Sequence, residues 1–329
     1  MSTPPTPFYP MTHDDALLMI AALEALAPGL VTTTQSGLLA PDVEAIENGF
    51  IKLATSDNKG LMSKTFAALL ENPDKIIFYA NARTGSAGFH NSIYRGQYLG
   101  DHVTDEQWAA ISAGTFDNMF IGDYWTINGV NYRIAGFDYW LHCGDTECTK
   151  HHIVLIPDTN LLVADGSTTH WMNTTNITTG AYVGSDFYTG NNGNNGKATI
   201  LSSIRSAFGS AHILNHREYL QNAVSNGRPS GGAWYDSEVE IPNERMVYGN
   251  APFSPVSDGS NVPANYTIDN AQLPLFRLDH SHICNRAPWW LRDPVSATTF
   301  ALVHYYGYCY YIGASAPWVG VRPAFGIRA

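Results

Sequence analysis

Apolar and polar positions along this chain change over in short stretches rather than in long periodic blocks. The first clear stretch, Ala16 to Ala27, is apolar over most of its circumference when wound as a helix. Thr12 can cap it, Asp14 and Asp15 place negative charge at its positive end, and Pro28-Gly29 stop it. A helix with so little polar face requires a partner surface. Residues 30–66 are short apolar pieces broken by polar turns such as Ser56-Asp57-Asn58-Lys59-Gly60, and no independent core is legible there. The stretch 72–100 reads as short strands and loops, with Lys75 to Tyr79 as one strand.

Sharper signals follow. Thr104 and Gln107 stand in capping-box spacing before Trp108 and Ile111, and Gly114 closes the short helix they predict. Two β-rich runs between Tyr124 and Ala135 flank Asn128-Gly129, the dipeptide suited to a two-residue hairpin turn. His152 to Pro157 predicts an apolar strand. Asn191 to Gly196 reads as a loop, and Ile200 to Phe208 as an amphipathic helix closed by Gly209. Asn215 predicts a cap for a second helix, His216 to Val224, closed by Asn226-Gly227. From Trp234 onward the pattern is loops and strands. Hairpin, strand, two helices and a β-rich remainder make a mixed α+β class, not an alternating parallel α/β one.

Composition narrows what this scaffold can do. The 329 residues carry 18 Lys+Arg against 29 Asp+Glu, a net charge of -11, and only 14% are charged. That acidity argues against nucleic acid, which requires a basic face. No apolar stretch approaches the ~20 residues of a membrane-spanning helix. The N-terminus lacks a basic region followed by an apolar run, so no secretory signal is expected. Cys143, Cys148, Cys284 and Cys309 are too few for a disulfide scaffold and are expected as reduced thiols, with a Cys143–Cys148 or Cys284–Cys309 bridge left open.

The polarity lost in charge returns as Asn, Ser, Thr, Gly and Tyr, the composition of surfaces that hydrogen-bond without strong charge. Its focus is the end of the chain. Tyr305, Tyr306, Tyr308, Tyr310 and Tyr311 fall within seven positions. On composition alone this is equally an edge hairpin covering a core and a recognition surface, for which Tyr offers large amphipathic area at low rotamer cost. If the tract runs as one extended strand, residues two apart share a face. Leu302, His304, Tyr306, Tyr308, Tyr310 and Ile312 are then the contact series, with Tyr305 and Thr298 nearby. Ala301, Val303, Tyr305, Cys309 and Tyr311 form the packing face, and Gly307 can break the register. Arg286, Arg292 and Arg322 are expected to buttress the platform.

The motif Trp289-Trp290-Leu291-Arg292, followed about thirty residues later by Gly320-Val321-Arg322-Pro323-Ala324-Phe325, resembles the variable region of proteins diversified by retroelements, which occur largely in phages. "IGDYWTINGVNYRIAGFDYW", "KHHIVLIPDTNL", "HREYLQNAV" and "GGAWYDSEVE" are also similar to gut-phage members of that group. The resemblance covers roughly residues 95 to 329. Residues Ala54 to Ser63 resemble a linker of trimeric phage tail proteins. The resemblance implies a C-type-lectin-like fold, akin to formylglycine-generating enzymes, over 96–329. It places a variable region at about 285–325 and an attachment or trimerisation segment at 1–95. It also implies a tail-tip receptor-binding protein of the virion, homotrimeric, joined to other tail proteins and binding a bacterial surface protein or glycan. Thr298, Leu302, His304, Tyr305, Tyr306, Tyr308, Tyr310 and Ile312 would form the ligand face. Trp289, Trp290, Arg292, Trp318 and Arg322 would be framework. In such proteins a template is copied with errors at adenines, so Asn codons never become Lys, Glu, Gln, Met or Trp. The tract Asp293 to Pro317 contains none of these five.

Rival chemistries are weaker. His142, Cys143, Cys148, His151 and His152 are dense in metal-ligand types, but Cys-x4-Cys with adjacent His sits at the margin of zinc spacing. Asp186, Asp236, Glu238, Glu240 and Glu244 offer oxygen ligands for calcium, yet no D-x-D-x-D-G loop orders them. No nucleophile elbow, Walker or Rossmann pattern appears. No metal, cofactor or catalytic residue is therefore expected, with calcium left open. The alternatives are a surface-polymer-degrading enzyme on a lectin-like scaffold, or a structural virion protein whose Tyr tract packs on a neighbour.

Overall fold

A computed structural model of the protein describes residues 87–164, 169–178, 187, 196–221, 223–255 and 271–329. The helix expected after Thr12, the linker-like stretch 54–63, the strand Lys75 to Tyr79 and the loop 191–195 lie outside the described residues. The chain divides between Thr84 and Gly85, and every described residue belongs to the second unit.

That unit is α+β, with many short strands and few helices. β1 (Tyr98–Gly100), β2 (Tyr124–Ile127), β3 (Val130–Phe137) and β4 (Ile153–Pro157) form a five-stranded sheet with β12 (Phe325–Ile327), in the order β1-β2-β3-β4-β12. Only the β1–β2 pairing in it is parallel. The β2–β3 turn is the one anticipated: Ile127 faces Val130, and Asn128 and Gly129 both adopt positive φ (52° and 78°). That pair of angles matches the twist of the flanking strands. The helix Asp105–Ala113 begins at the expected capping box, with Thr104 and Gln107 bonded reciprocally, and ends at Gly114. The helix Gly196–Phe208 turns Ile200, Ile204 and Phe208 inward.

Residues 87–95, assigned by the sequence to the N-terminal segment, pack into this unit instead. His90 is fully buried among Phe116, Phe120 and Phe137. The Asn91 side chain pairs with both backbone groups of Phe137 at 2.8 Å.

The expected helix 216–224 is not formed. β5 (His216–Leu220) is a strand paired antiparallel with β8 (Ala233–Ser237), and β6 (Ala223–Ser225) pairs with β7 (Arg228–Ser230). His216, Glu218 and Leu220 are buried in alternation, the period of two of a strand. His216 stacks on Trp140 at 4.0 Å, and Glu218 meets Arg292 at 3.3 Å. These tertiary partners outweigh the local capping signal, and Asn226-Gly227 becomes the β6–β7 turn. Two short helices, Glu244–Tyr248 and Pro274–Leu278, interrupt the region read as loops and strands.

The second sheet carries the C-terminal tract. β9 (Trp289–Pro294), β10 (Thr299–Val303) and β11 (Cys309–Gly313) form an antiparallel sheet in the order β11-β10-β9. One apolar core runs from Trp125, Ile134 and Leu155 to Trp289, Trp290, Leu302 and Phe325. The last residues tie the two sheets together. Gly320 bridges to Trp289, Val321 to Leu162 and Ala324 to Glu240, before β12 joins β4.

Candidate functional site

The tract 299–313 is a hairpin rather than one strand, so the expected face series folds back on itself. β10 is the middle strand, and Phe300, Ala301, Leu302 and Val303 are all fully buried. Leu302, expected at the contact surface, therefore lies in the core, between Trp290 on one side and Tyr310 on the other. The chain reverses over 304–308, where His304 donates its N–H to Tyr308 O (2.9 Å) and Gly307 donates to His304 O (2.7 Å). Gly307 has φ +90°, and a Cβ there would come within 2.8 Å of Cys284 Cβ. The break anticipated at Gly307 is thus a close-packed turn that only glycine fits.

The tyrosines leave that turn for solvent. Tyr306 is 69% exposed, and Tyr305, Tyr308, Tyr310 and Tyr311 are between 41% and 48% exposed. Of the remaining contact series, His304 and Ile312 are half-buried and Thr298 is exposed. Of the expected packing face, Ala301 and Val303 are buried on β10, whereas Tyr305 in the turn and Tyr311 on the edge strand β11 are exposed and Cys309 is half-buried.

The rings form one chain. His304 stacks on Tyr308 (4.4 Å) and touches Tyr305 (4.0 Å), Tyr306 packs on Tyr305 (4.1 Å), and Tyr310 stacks on Tyr311 (5.5 Å). Phe253, which no sequence pattern singled out, extends the chain by meeting Tyr311 edge-on at 4.9 Å. It sits between loop residues with no periodicity to mark it. The Tyr306 hydroxyl, bonded to Tyr305, raises the Tyr305 phenol above its ordinary value.

Beneath the rings lies a rigid frame. Trp289, Trp290, Arg292 and Arg322 are buried. Trp290 Nε1 donates to His170 O (2.6 Å). Arg292 reaches Ile241 O and Glu218. Arg322 donates to Pro157 O and His282 O, both at 2.7 Å, and lies over the Trp289 ring (5.3 Å). Burial lowers Arg322 to about 10. Trp318, expected as framework, stands 41% exposed in a turn. Arg286, expected to buttress, is exposed with φ +66°.

An acid pair, Glu244 fully buried and Asp293 half-buried, supports the hairpin. Cys309 Sγ donates to Glu244 Oε1 (3.2 Å), and the N–H groups of Phe253 and Ser254 donate to the same carboxylate. Glu244 N–H donates to Asp293 Oδ2. Burial and the adjacent Glu244 carboxyl push Asp293 up to about 7. Burial raises Glu244 as well, and burial followed by the Glu244 charge raises the Cys309 thiol. Tyr248 pins the turn by donating to Gly307 O (3.1 Å).

The metal-ligand types near the β3–β4 connection are engaged with protein groups. His142 pairs with Glu147, His151 with Asp138 (2.7 Å), and His152 accepts from Trp140 N–H (3.0 Å). Burial drives His152 down to about 4. Of the carboxylates considered for calcium, Glu240 meets Lys197, Glu238 meets Arg205, Asp236 meets Arg217, and Asp186 lies outside the described residues. Among the described residues no cluster of three or more His, Cys, Asp or Glu side chains could hold a metal ion. No disulfide joins the four cysteines: Cys284 Sγ donates to Tyr305 O and Cys309 to Glu244. No helix of the described residues is long and apolar enough to cross a membrane.

No family model, no curated protein and no solved structure matches this chain.

Proposed function

We propose that this protein is a receptor-binding adhesin of a phage tail tip. In this reading a C-type-lectin-like domain presents the tyrosine hairpin to a bacterial surface protein or glycan. The observation that carries the reading is the contrast within one hairpin: Phe300 to Val303 of β10 are fully buried with the Trp and Arg frame, while five tyrosines on the turn and β11 are solvent-exposed. Exposing so much aromatic area costs solubility without adding to the core, which makes it worthwhile for binding. The frame holds the rings in place, so little side-chain entropy remains to be lost on contact. Three copies joined through the N-terminal segment and other tail proteins would add avidity to a weak single contact. Retroelement diversification of about 285–325 accounts for a variable surface on a fixed frame. A near-copy of that coding stretch, differing at adenines beside a reverse transcriptase, is its genomic signature.

The test is adsorption of the full chain to host cells. Replacing Tyr306, Tyr308 and Tyr310 together by Ala is expected to weaken binding more than tenfold, at about 2 kcal/mol or more per central aromatic anchor. The melting temperature should stay close to wild type. Unchanged adsorption would remove the hairpin as the contact site.

A further inference from the structure

Among the described residues nothing pairs with the outer edge of β11, and its chemistry differs from that of the rings. In the β10–β11 pair His304 bonds Tyr308 and Ala314 bonds Thr298, which fixes the alternation of the ladder. Residues 308, 310, 312 and 314 therefore turn their backbone groups toward β10, and Cys309, Tyr311 and Gly313 turn theirs away. Gly313 O is taken by Ala316 N–H (3.0 Å). The N–H and C=O of Cys309 and Tyr311 have no hydrogen-bond partner among the described residues. The usual edge guards are missing as well: Cys309 to Gly313 contains no charge and no Pro, and its register with β10 runs without a bulge.

Resting on the adhesin reading, we infer that the ligand is an extended polypeptide segment of a surface protein, which adds to β11 as a further strand. Three features select that occupant. Donor and acceptor alternate along the edge at strand spacing, so their partial charges complement the backbone of another extended chain. The Tyr310 and Tyr311 rings stack side by side along β11 and Phe253 prolongs the row at Tyr311, giving an added strand one continuous aromatic surface beside the edge. The edge has defined ends. The His304–Tyr308 turn closes one, and Asn176, which accepts from the N–H (3.2 Å) and hydroxyl (2.8 Å) of Ser315, closes the other. A saccharide would be recognised by the rings without using this edge.

The experiment compares Tyr311→Pro with Tyr311→Val in the full chain, using host cells as the probe. Both variants remove the ring, but only proline removes the outward N–H, and at an edge it spares the pairing with β10. The proline variant is expected to bind at least tenfold more weakly than the valine variant. Protease treatment of the cells should abolish wild-type binding, and periodate oxidation should leave it. Equal binding by the two variants, or loss with periodate alone, overturns the inference while the adhesin reading stands. Absence of wild-type binding to any cell overturns both. Self-association of the wild type that Tyr311→Pro abolishes would make a second copy the occupant and overturn it too. Because proline can disturb the strand, hydrogen exchange on the wild type gives a second readout. The amide of Tyr311 should exchange rapidly in the free protein and slow at least tenfold on cells, and failure to slow overturns the inference.

Discussion

Two hairpins of this molecule solve opposite problems. The β2–β3 hairpin turns on Asn128-Gly129, and a Cβ at Gly129 would meet nothing within 4 Å. Its turn stands free and its strands carry the core, with Trp125 and Tyr132 buried. The β10–β11 hairpin turns on Gly307, wedged against Cys284 and pinned by Tyr248. Its first strand is buried and its turn and second strand are exposed. In the first hairpin local turn chemistry sets the geometry and tertiary packing profits from it. In the second, tertiary packing sets the turn and leaves the tyrosine side chains in solvent. A surface can change its side chains without unfolding when its shape is held from behind.

The largest effect should come from removing that support. Trp290→Ala, paired beside Leu302 on β9, is expected to cost about 3–5 kcal/mol in denaturant unfolding. Tyr306→Ala, on the same hairpin but in solvent, should stay within about 0.5 kcal/mol. Similar losses at the two positions would break the distinction between frame and face.

A pH effect should come next. Asp293 has its carboxyl raised from the ordinary carboxylate range to about 7. A raised pKa contributes stability that is complete below the unfolded value and is lost as pH rises through the folded one. The Asp293 contribution therefore falls between about pH 4 and 7. Asp293→Asn keeps an oxygen that can accept from Glu244 N–H and removes the charge. Its melting temperature should gain on wild type as pH rises from 5 to 8. His152, in the first sheet, runs the other way. Its pKa is lowered to about 4, so its contribution is full above about 6.5 and is lost as pH falls toward 4. A difference between Asp293→Asn and wild type that does not change with pH would show the acid pair to be uncoupled from folding.

The smallest effect separates the two turns. Gly307→Ala meets both positive φ and Cys284, and should cost about 1–3 kcal/mol. Gly129→Ala meets positive φ alone, and should cost about 1 kcal/mol. Melting curves of the two variants measure the difference, and equal shifts would mean that Cys284 yields without cost.

Much of the frame was legible because its signals are local or chemically emphatic. The Thr104–Gln107 box, the Asn128-Gly129 turn and the 200–208 helix each depend on residues a few positions apart. Paired Trp289-Trp290 with Arg292 and Arg322 marks a dense core whose cations find carbonyl and carboxylate partners. The tyrosines were recognisable as a group, five in seven positions, but the sequence left a core-covering hairpin and a recognition surface equally open.

What only the tertiary structure decided is depth and partnership. Leu302 and Tyr310 share a face by register, yet one is buried and the other exposed, because the middle strand of a sheet is covered and its edge is not. Asn215 offers residues 216–220 a capping signal that a helix could use. They form a strand because Glu218 finds Arg292 and His216 finds Trp140, over 70 residues away in each direction. Phe253 beside Tyr311, and Asp293 beside Glu244, likewise come from separate parts of the chain. Short-range propensity is written residue by residue in the sequence. Burial and pairing depend on which distant segments arrive together, and they set both the face of the hairpin and its open edge.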